Sequence, residues 1–323
     1  MKVLITGGAG FIGSHLAEAL LKRGDEVVVV DNFATGSRNN LHPQNGRSAE
    51  IIELDVAIEH EKLDHIIASV DTVFHLAAAV GVELVVNQPI HTIQTNIDGS
   101  ANVIKSAAKH DKRLFIASTS EVYGKSENEL FSESDDLLIG SPYHSRWSYA
   151  CSKLLDEFYL MAYHQSANLR GTVVRFFNTV GPRQTGKYGM VVPRFVSKAL
   201  KNEPLQIYGD GEQSRCFCHV YDVVRALLLL LADDRSIGNI YNIGSNHLIS
   251  IKELAQQVIS ITGSKSVTEI IPYEQAYAKG FEDMRRRKPD IRKIAALTTW
   301  QPELTLHDII TDVANDIKAR KND

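Results

Sequence analysis

Short apolar runs alternate with longer amphipathic stretches through the first half of the chain. Short, fully apolar runs bounded by turn residues are typical of strands buried on both faces of a parallel sheet. Strands are predicted at residues 3–5, 27–30, 51–54, 72–75, 114–117 and 172–175. Helices are predicted between them at residues 11–22, 63–69, 90–110 and 147–165. This β-α-β-α order predicts an α/β protein with a doubly wound parallel sheet of the Rossmann type.

The pattern changes after about residue 178, where glycine and proline become frequent. A further strand is predicted at residues 215–220, and further helices at residues 223–231, 251–261 and 306–318. We therefore expect two units. The main domain covers residues 1–177, with residues 217–242 returning to its sheet, and a smaller α/β C-terminal lobe covers residues 178–323.

Composition narrows the classes of partner and the location. A net charge of −4 disfavours broad attraction to nucleic acid or membrane surfaces, so neither is expected as a partner. The longest apolar run, residues 226–232, is too short to span a bilayer, and the N-terminus has no signal-peptide pattern. The cytoplasm is therefore expected. Cys151, Cys216 and Cys218 suggest neither a disulfide framework nor a metal site, as in a reducing compartment.

A glycine pattern follows the first predicted strand and opens the first helix. Gly7 permits a tight turn, Gly10 lets the backbone approach a pyrophosphate, and Gly13 lets the helix pack closely. The pyrophosphate would lie at the helix N-terminus, beside Phe11 and Ile12. Three spaced glycines alone are a weak signal, but the strand–turn–helix context is the one that dinucleotide binding needs. The main domain is therefore predicted to bind a dinucleotide.

Asp31 ends the second strand, 18 residues after Gly13. A carboxylate there can accept hydrogen bonds from the adenosine ribose and repels a 2′-phosphate, which favours NAD over NADP. We predict Asp31 and Asn32 as NAD-binding residues. The alternative is an aspartate that only shapes the turn, since Asp-Asn is also common turn chemistry.

Tyr149 and Lys153 are four residues apart, on one face of a predicted helix. An ammonium near a phenol lowers the pKa of the tyrosine, which could then take a proton from a substrate hydroxyl as hydride passes to nicotinamide. The alternative is an exposed helical pair. Thr119, Ser120 and Glu121 follow the fifth strand, at the sheet edge where such folds bind ligands, and turn capping is their alternative role.

Taken together, these motifs resemble the extended short-chain dehydrogenases/reductases of the NAD-dependent epimerase/dehydratase family, nearly end to end. The resemblance implies a nucleotide-linked sugar as substrate, oxidised at carbon 4. It also implies that Thr119 is the hydroxyl partner of Tyr149 and that Lys153 bonds the nicotinamide ribose. Further cofactor contacts are implied at two strand ends, by Asp55, Val56, Leu76, Ala77 and Ala78.

Within that family, Ser120-Glu121 resembles UDP-glucuronate decarboxylases and also GDP-mannose 4,6-dehydratases. Residues 146–156 look like the decarboxylase half of the bifunctional lipid A aminoarabinose enzyme. Residues 280–290 resemble the segment that carries the catalytic arginine of the decarboxylases, here Arg287. The alternative for this segment is a solvated basic run before a proline turn.

This resemblance implies a coherent reaction. Oxidation of UDP-glucuronate at carbon 4 gives a β-keto acid, which loses carbon dioxide readily. Glu121 and Ser120 would position the sugar or handle a proton, and Arg287 would hold the carboxylate or supply a proton. The ketone is then either released or reduced to UDP-xylose.

Three further residues are candidates for binding the substrate, with surface salt bridges as the alternative: Asn178, Arg183 and Arg215. Asn178 matches a substrate-binding asparagine of the family, and Arg215 matches an arginine that meets the nucleotide phosphates. The loop at residues 184–190 faces the substrate in the family, and its sequence does not identify which sugar is bound.

A UDP-glucuronate decarboxylase is the leading hypothesis. A UDP-hexose 4-epimerase is the nearest alternative, followed by a nucleotide-sugar 4,6-dehydratase. A non-catalytic NAD-binding regulator or scaffold is the alternative from a different class. By analogy with the family, a homodimer is expected through the helices at residues 90–110 and 147–165.

Overall fold

The computed structural model describes residues 1–81, 88–185, 190–272 and 286–320. Its strands are β1 (Lys2–Thr6), β2 (Glu26–Asp31), β3 (Glu50–Glu53), β4 (Thr72–His75), β5 (Arg113–Thr119), β6 (Gly171–Phe176), β7 (Thr179–Val180), β8 (Leu205–Tyr208), β9 (Ser214–Cys216), β10 (Cys218–His219), β11 (Asn239–Ile243), β12 (Leu248–Ser250), β13 (Thr268–Ile271) and β14 (Arg286–Arg287). Its α-helices are α1 (Phe11–Arg23), α2 (His60–Ala68), α3 (Pro89–Lys109), α4 (Trp147–Ala167), α5 (Val191–Ala199), α6 (Val220–Leu231), α7 (Ile251–Thr262), α8 (Arg292–Thr298) and α9 (Leu306–Ala319).

Seven strands form one sheet in the order β11-β6-β5-β4-β1-β2-β3, and every neighbouring pair is parallel. The predicted doubly wound parallel sheet is therefore confirmed. Strand order reverses between β1 and β4, and such sheets bind ligands outside the carboxyl ends of the strands at this point. The edge strand β11 comes from the second half of the chain, while the domain boundary near residue 178 stays a prediction.

Apolar layers cover both faces of the sheet, which explains the unbroken apolar runs of the strands. Successive residues of a strand point to opposite faces. In β1, Val3 and Ile5 enter the layer that contains residues of α1 and α6, such as Leu16 and Leu227. Leu4 enters the opposite layer, with residues of α2, α3 and α4. The sheet is thus closed to water except along its edges and strand ends.

The single strand predicted at residues 215–220 is wrong. β9 ends at Cys216 and pairs with β12 and β14, whereas β10 begins at Cys218 and pairs with β7. Helix α6 begins at Val220, three residues earlier than predicted, because the side chain of His219 caps it. The His219 Nδ1 accepts the Tyr221 N–H at 3.1 Å, which satisfies a donor that the first helical turn leaves unpaired. This side-chain cap overrides the strand preference of the segment.

A third apolar cluster joins α5, α7 and α9 away from the main sheet. It is built on residues such as Phe195, Leu254 and Ile309, which are fully buried. Next to this cluster, β9 pairs with β14 in a register that sets Arg215 opposite Arg287. The C-terminal part of the chain therefore brings two cations to adjoining strands.

Gly13 lies where α1 crosses the turn after β1. A Cβ there would overlap the Gly7 carbonyl oxygen and lie 2.7 Å from the Gly8 Cα, so backbone would have to move. We expect Gly13→Ala to lower the free energy of unfolding by about 1–3 kcal/mol, measured by urea denaturation. The matched change Lys22→Ala, at an exposed position of the same helix, should stay within about 0.5 kcal/mol. Equal unfolding midpoints for the two variants would contradict this account.

Candidate active site

One cavity of about 1120 Å³ lies along the carboxyl ends of the strands. All the site residues predicted from the sequence line it, namely Gly7, Gly10, Phe11, Ile12, Gly13, Asp31, Asn32, Asp55, Val56, Leu76, Ala77, Ala78, Thr119, Ser120, Glu121, Tyr149, Lys153, Asn178, Arg183, Arg215 and Arg287. The fold therefore brings these residues together, while the role of each one stays a prediction.

The turn after β1 offers a cradle for a diphosphate. Gly7 has a φ of +69°, and a Cβ on it would lie 2.7 Å from the Ala77 N, so only glycine fits there. Gly10 caps α1 and has no side chain to cover the helix end. The N–H groups of the first helical turn lack intrahelical partners and lie at the positive end of the helix dipole. This arrangement fits the diphosphate of a dinucleotide.

Asp31 shapes the same turn from the end of β2. One carboxylate oxygen accepts the Ala9 N–H at 2.9 Å, and the other accepts the Phe33 N–H at 2.8 Å. Burial raises the pKa of Asp31, and these two hydrogen bonds partly offset the rise. Each oxygen has a second lone pair, so the carboxylate can still accept ribose hydroxyls. The structural role and the predicted cofactor role are therefore compatible.

The adjoining wall is built from the ends of β2 and β3. The Asn32 side-chain amide donates to Asp55 at 3.0 Å, and the other oxygen of Asp55 accepts the Ala57 N–H at 2.9 Å. Val56, the residue between Asp55 and Ala57, is mostly buried and lines the cavity. These contacts fix the Val56 side chain and the Asp55 carboxylate at the place where the family resemblance predicts that adenine binds.

Tyr149 and Lys153 lie one turn apart on α4, and the Thr119 hydroxyl hydrogen-bonds to the Tyr149 phenol. The expected lowering of the tyrosine pKa is wrong for the free protein. Burial first, and then the charges of Glu121 and Asp156, raise the pKa of Tyr149. The Lys153 ammonium donates to the Asp156 carboxylate at 2.7 Å, and both side chains are nearly inaccessible to water. The Asp156 carboxylate thus offsets much of the effect that the Lys153 charge would have on the Tyr149 phenol.

Glu121 lies among three arginines. Arg146 donates to one of its oxygens at 3.2 Å, and Arg287 donates to the other. Arg215 adds a third positive charge nearby. Burial raises the pKa of Glu121, but the three guanidinium groups outweigh burial and lower it, so the group is a carboxylate. Guanidinium groups form strong, often bidentate hydrogen bonds to carboxylates and phosphates, so this part of the cavity has donors that suit an anionic ligand.

Arg287 is 7% exposed, so the alternative of a solvated basic run does not hold for it. The segment after it is fixed by backbone hydrogen bonds to one residue. The Phe131 N–H donates to the Lys288 carbonyl and the Asp290 N–H donates to the Phe131 carbonyl, both at 2.9 Å. Residues 280–285 of this segment lie outside the described residues.

A buried ion pair supports the loop that carries Thr119, Ser120 and Glu121. Arg175 donates two hydrogen bonds to Glu157, at 2.9 and 2.7 Å. Ser118 also donates to Glu157, and Arg175 donates to the Tyr123 hydroxyl at 2.9 Å. Because Ser118 and Tyr123 flank the loop, the pair fixes both of its ends.

The side chains of Asn178 and Arg183 line the cavity, but their hydrogen bonds are made to other groups of the protein. The Asn178 amide donates to the Cys216 carbonyl at 3.0 Å. Arg183 donates to Glu18 at 2.5 Å and to Ser14 at 3.2 Å, which is the salt-bridge alternative for this residue. Contact of either side chain with a nucleotide stays a prediction. In the neighbouring loop, residues 186–189 lie outside the described residues.

Arg146 and Asp156 are site residues for which the sequence predicted no role. Arg146 comes three residues before Tyr149, and Asp156 comes three residues after Lys153. Residues three apart are neighbours on a helix surface. A charged residue one turn from a candidate catalytic residue is the signal that identifies both.

The fold and the cavity are those of a dinucleotide-binding enzyme. Residues 3–244 match the model of the NAD dependent epimerase/dehydratase family. The chain therefore belongs to this family, and it is an NAD-dependent enzyme.

The chain is similar to two decarboxylases and to one 4-epimerase of known structure. A UDP-N-acetyl-alpha-D-glucosaminuronate decarboxylase of Bacillus cytotoxicus is 41% identical over 100% of this chain and 99% of its own length. UDP-glucuronic acid decarboxylase 4 of Arabidopsis thaliana is 35% identical over 99% of this chain and 69% of its own length. The Thermus thermophilus UDP-glucose 4-epimerase in complex with NAD superposes with a TM-score of 0.85, at 30% identity over 98% of this chain and 99% of that one.

Among the helices within the described ranges, none has the length and apolar character needed to cross a membrane. The cytoplasmic location stays a prediction.

Asp31 should determine both the affinity and the choice of cofactor. We expect the wild-type protein to bind NAD more tightly than NADP, and Asp31→Ala to weaken NAD binding about tenfold or more, because hydrogen bonds to a charged group are lost. Isothermal titration with both cofactors measures this. Asp71→Ala is the matched control, since Asp71 also accepts a backbone N–H, from Lys2 at 2.7 Å, but does not line the cavity. Tighter binding of NADP by the wild type would overturn the assignment.

Proposed function

We propose that this enzyme decarboxylates a UDP-linked uronate through a 4-keto intermediate. UDP-glucuronate is the substrate expected from the sequence. The Bacillus cytotoxicus relative adds the uronate with an acetamido group at carbon 2 as a second substrate to test. Both share the carboxylate at carbon 6, which is the group that the site must recognise.

The arginine cluster around Glu121 is the observation that supports this proposal. It lines the same cavity as Tyr149 and Lys153 and contributes three guanidinium groups to it, those of Arg146, Arg215 and Arg287. A neutral hexose, the substrate of a 4-epimerase, offers no anion to such a cluster beyond its diphosphate. A uronate carboxylate matches the planar, forked guanidinium groups of Arg146 and Arg287.

The residues around carbon 4 fit the first step. The glycine turn and Asp31 would hold NAD, which when bound would supply a hydride acceptor for carbon 4 and a positive ring charge that favours the Tyr149 phenolate. Tyr149, held by Thr119, takes the proton of the carbon-4 hydroxyl. In the free protein its pKa is raised, so the phenol keeps its proton until the ligands bind.

The second step breaks the bond between carbons 5 and 6. Carbon dioxide leaves, and the electron pair moves onto the carbon-4 oxygen as an enolate. Arg146 and Arg287 orient the carboxylate, and the Tyr149 phenol donates to the developing oxygen charge. Glu121, whose pKa is lowered, stays ionised and orients the two arginines. Proton uptake at carbon 5 gives the 4-keto pentose.

Release of labelled carbon dioxide tests the proposal. Purified enzyme with NAD⁺ and UDP-glucuronate labelled at carbon 6, or its 2-acetamido analogue, should release the label. Arg287→Gln and Tyr149→Phe should each lower kcat about 10²-fold or more. Arg292→Gln, an arginine whose side chain is 86% exposed, should leave kcat unchanged.

Other products would refute the decarboxylase proposal and identify a different activity. Interconversion of UDP-glucose and UDP-galactose without carbon dioxide would identify a 4-epimerase, and a 4-keto-6-deoxy sugar would identify a dehydratase. NAD binding without turnover on any nucleotide sugar would indicate a regulator or scaffold.

We also propose a homodimer formed through α3 and α4. These helices pack against each other and each exposes large apolar side chains three residues apart. Ile90 and Ile93 do so on α3, and Leu155 and Phe158 do so on α4. Exposed apolar stripes on neighbouring helices are typical of an interface.

Light scattering after size-exclusion chromatography tests the dimer. The wild type should have twice the mass of one chain, and Phe158→Glu should shift it to monomer because a charge would enter the apolar interface. Val267→Glu, at an equally exposed apolar position outside these helices, should remain dimeric. A monomeric wild type at micromolar concentration would exclude the dimer.

A further inference from the structure

A buried series of side-chain hydrogen bonds begins at Lys153. Its ammonium donates to Asp156 at 2.7 Å, and the Ser100 hydroxyl from α3 also hydrogen-bonds to Asp156. The Ser100 oxygen lies 3.0 Å from the His75 Nε2, and the His75 Nδ1 lies 2.7 Å from the Thr6 Oγ1. All five side chains are almost completely buried. This series of hydrogen bonds thus connects α4 to the carboxyl ends of β4 and β1.

The charges at one end fix the direction of every hydrogen bond in this series. Burial raises the pKa of Asp156, and the Lys153 ammonium and the Ser100 hydroxyl partly offset this rise. Beside the ammonium the group is a carboxylate, which only accepts, so Ser100 donates its proton to Asp156 and accepts from the His75 Nε2–H. Burial, together with the charge of Lys153, lowers the pKa of His75 to about 3, so its ring is neutral and Nδ1 accepts from the Thr6 hydroxyl. The Thr6 oxygen then accepts the Ala77 N–H at 3.4 Å. Ala77 lines the cavity on the side expected for nicotinamide.

We propose that Asp156 is a positioning residue that keeps the buried Lys153 protonated and aligned, and that the Ser100–His75–Thr6 chain locks this pair to the cofactor turns. The inference rests on the proposed use of Lys153 at the nicotinamide ribose and deepens that function. Asp156 acts through Lys153 and through Ala77, without touching the substrate itself.

The physical need for Asp156 follows from burial. A buried lysine without a counter-ion loses its proton near neutral pH, because desolvation penalises the ammonium. Three other titratable groups face the pair: Tyr149 and Glu157 on the same helix, and His75 from β4. His75 is neutral, and the carboxylate of Glu157 is bonded to Arg175. Asp156 is therefore the carboxylate that directly balances the lysine.

The test compares Asp156→Asn with the wild type across pH 6–9. The amide keeps the shape of the side chain but removes its charge, so the buried Lys153 ammonium should lose its counter-ion and be held less well as pH rises. NAD affinity, measured by isothermal titration, and kcat should then drop about tenfold or more at pH 8 while staying within about threefold at pH 6. The alkaline limb of the kcat profile should move to lower pH by about one unit or more, and Asp156→Glu should move it back.

Two controls separate this role from a loss of structure. Ser100→Ala should shift the limb in the same direction by a smaller amount, because Lys153 keeps its counter-ion. Asp64→Asn breaks an exposed lysine pair of the same 2.7 Å length, with Lys109, and should change neither readout. A uniform loss at every pH in Asp156→Asn, or no loss at all, would overturn the proposal.

The cofactor titration needs no sugar, so it separates the two proposals. Absence of carbon dioxide release by the wild type would refute the uronate decarboxylase, whereas a pH-independent NAD affinity in Asp156→Asn would refute the role of Asp156.

Discussion

Burial of the central sheet on both faces confines polar chemistry to the carboxyl ends of its strands. Thr6, His75 and Thr119 each end a strand, and each contributes a polar group just beyond the apolar layers. The strand order reverses between β1 and β4, which is where such sheets bind ligands, and a Cβ on Gly7 would clash with the Ala77 backbone, so no side chain fits at this turn. The cavity, the cradle for a diphosphate and the candidate catalytic residues all follow from this arrangement.

Within that crevice, charge is balanced differently at two points. At the nicotinamide side, Lys153 and Asp156 form a buried pair of opposite charges, so the phenol beside them is not acidic in the free protein. Near Glu121, the charges of three arginines lower the pKa of the carboxyl group in spite of its burial. Under the proposed function, the first point serves hydride transfer, and the second recognises the carboxylate of the sugar.

Much of the fold was readable from the sequence because its determinants are local. The run at residues 27–30 is apolar on both faces, and Gly7, Gly10 and Gly13 have the spacing of a strand–turn–helix. The strand predicted at residues 215–220 failed because the capping by His219 depends on the backbone that follows it. The candidate site residues were likewise found by motif, and they line one cavity.

What the sequence did not give was the environment of each charge. Tyr149 and Lys153 have the spacing of an activated pair, but the effect of Asp156 depends on burial, which a motif does not contain. Arg146 and Arg287 are 141 residues apart, and only the fold brings both to Glu121. Under the proposed function, the arginines around Glu121 form a site for a carboxylate beside the carbon that is oxidised, and oxidation at that carbon is what makes loss of the carboxylate chemically easy.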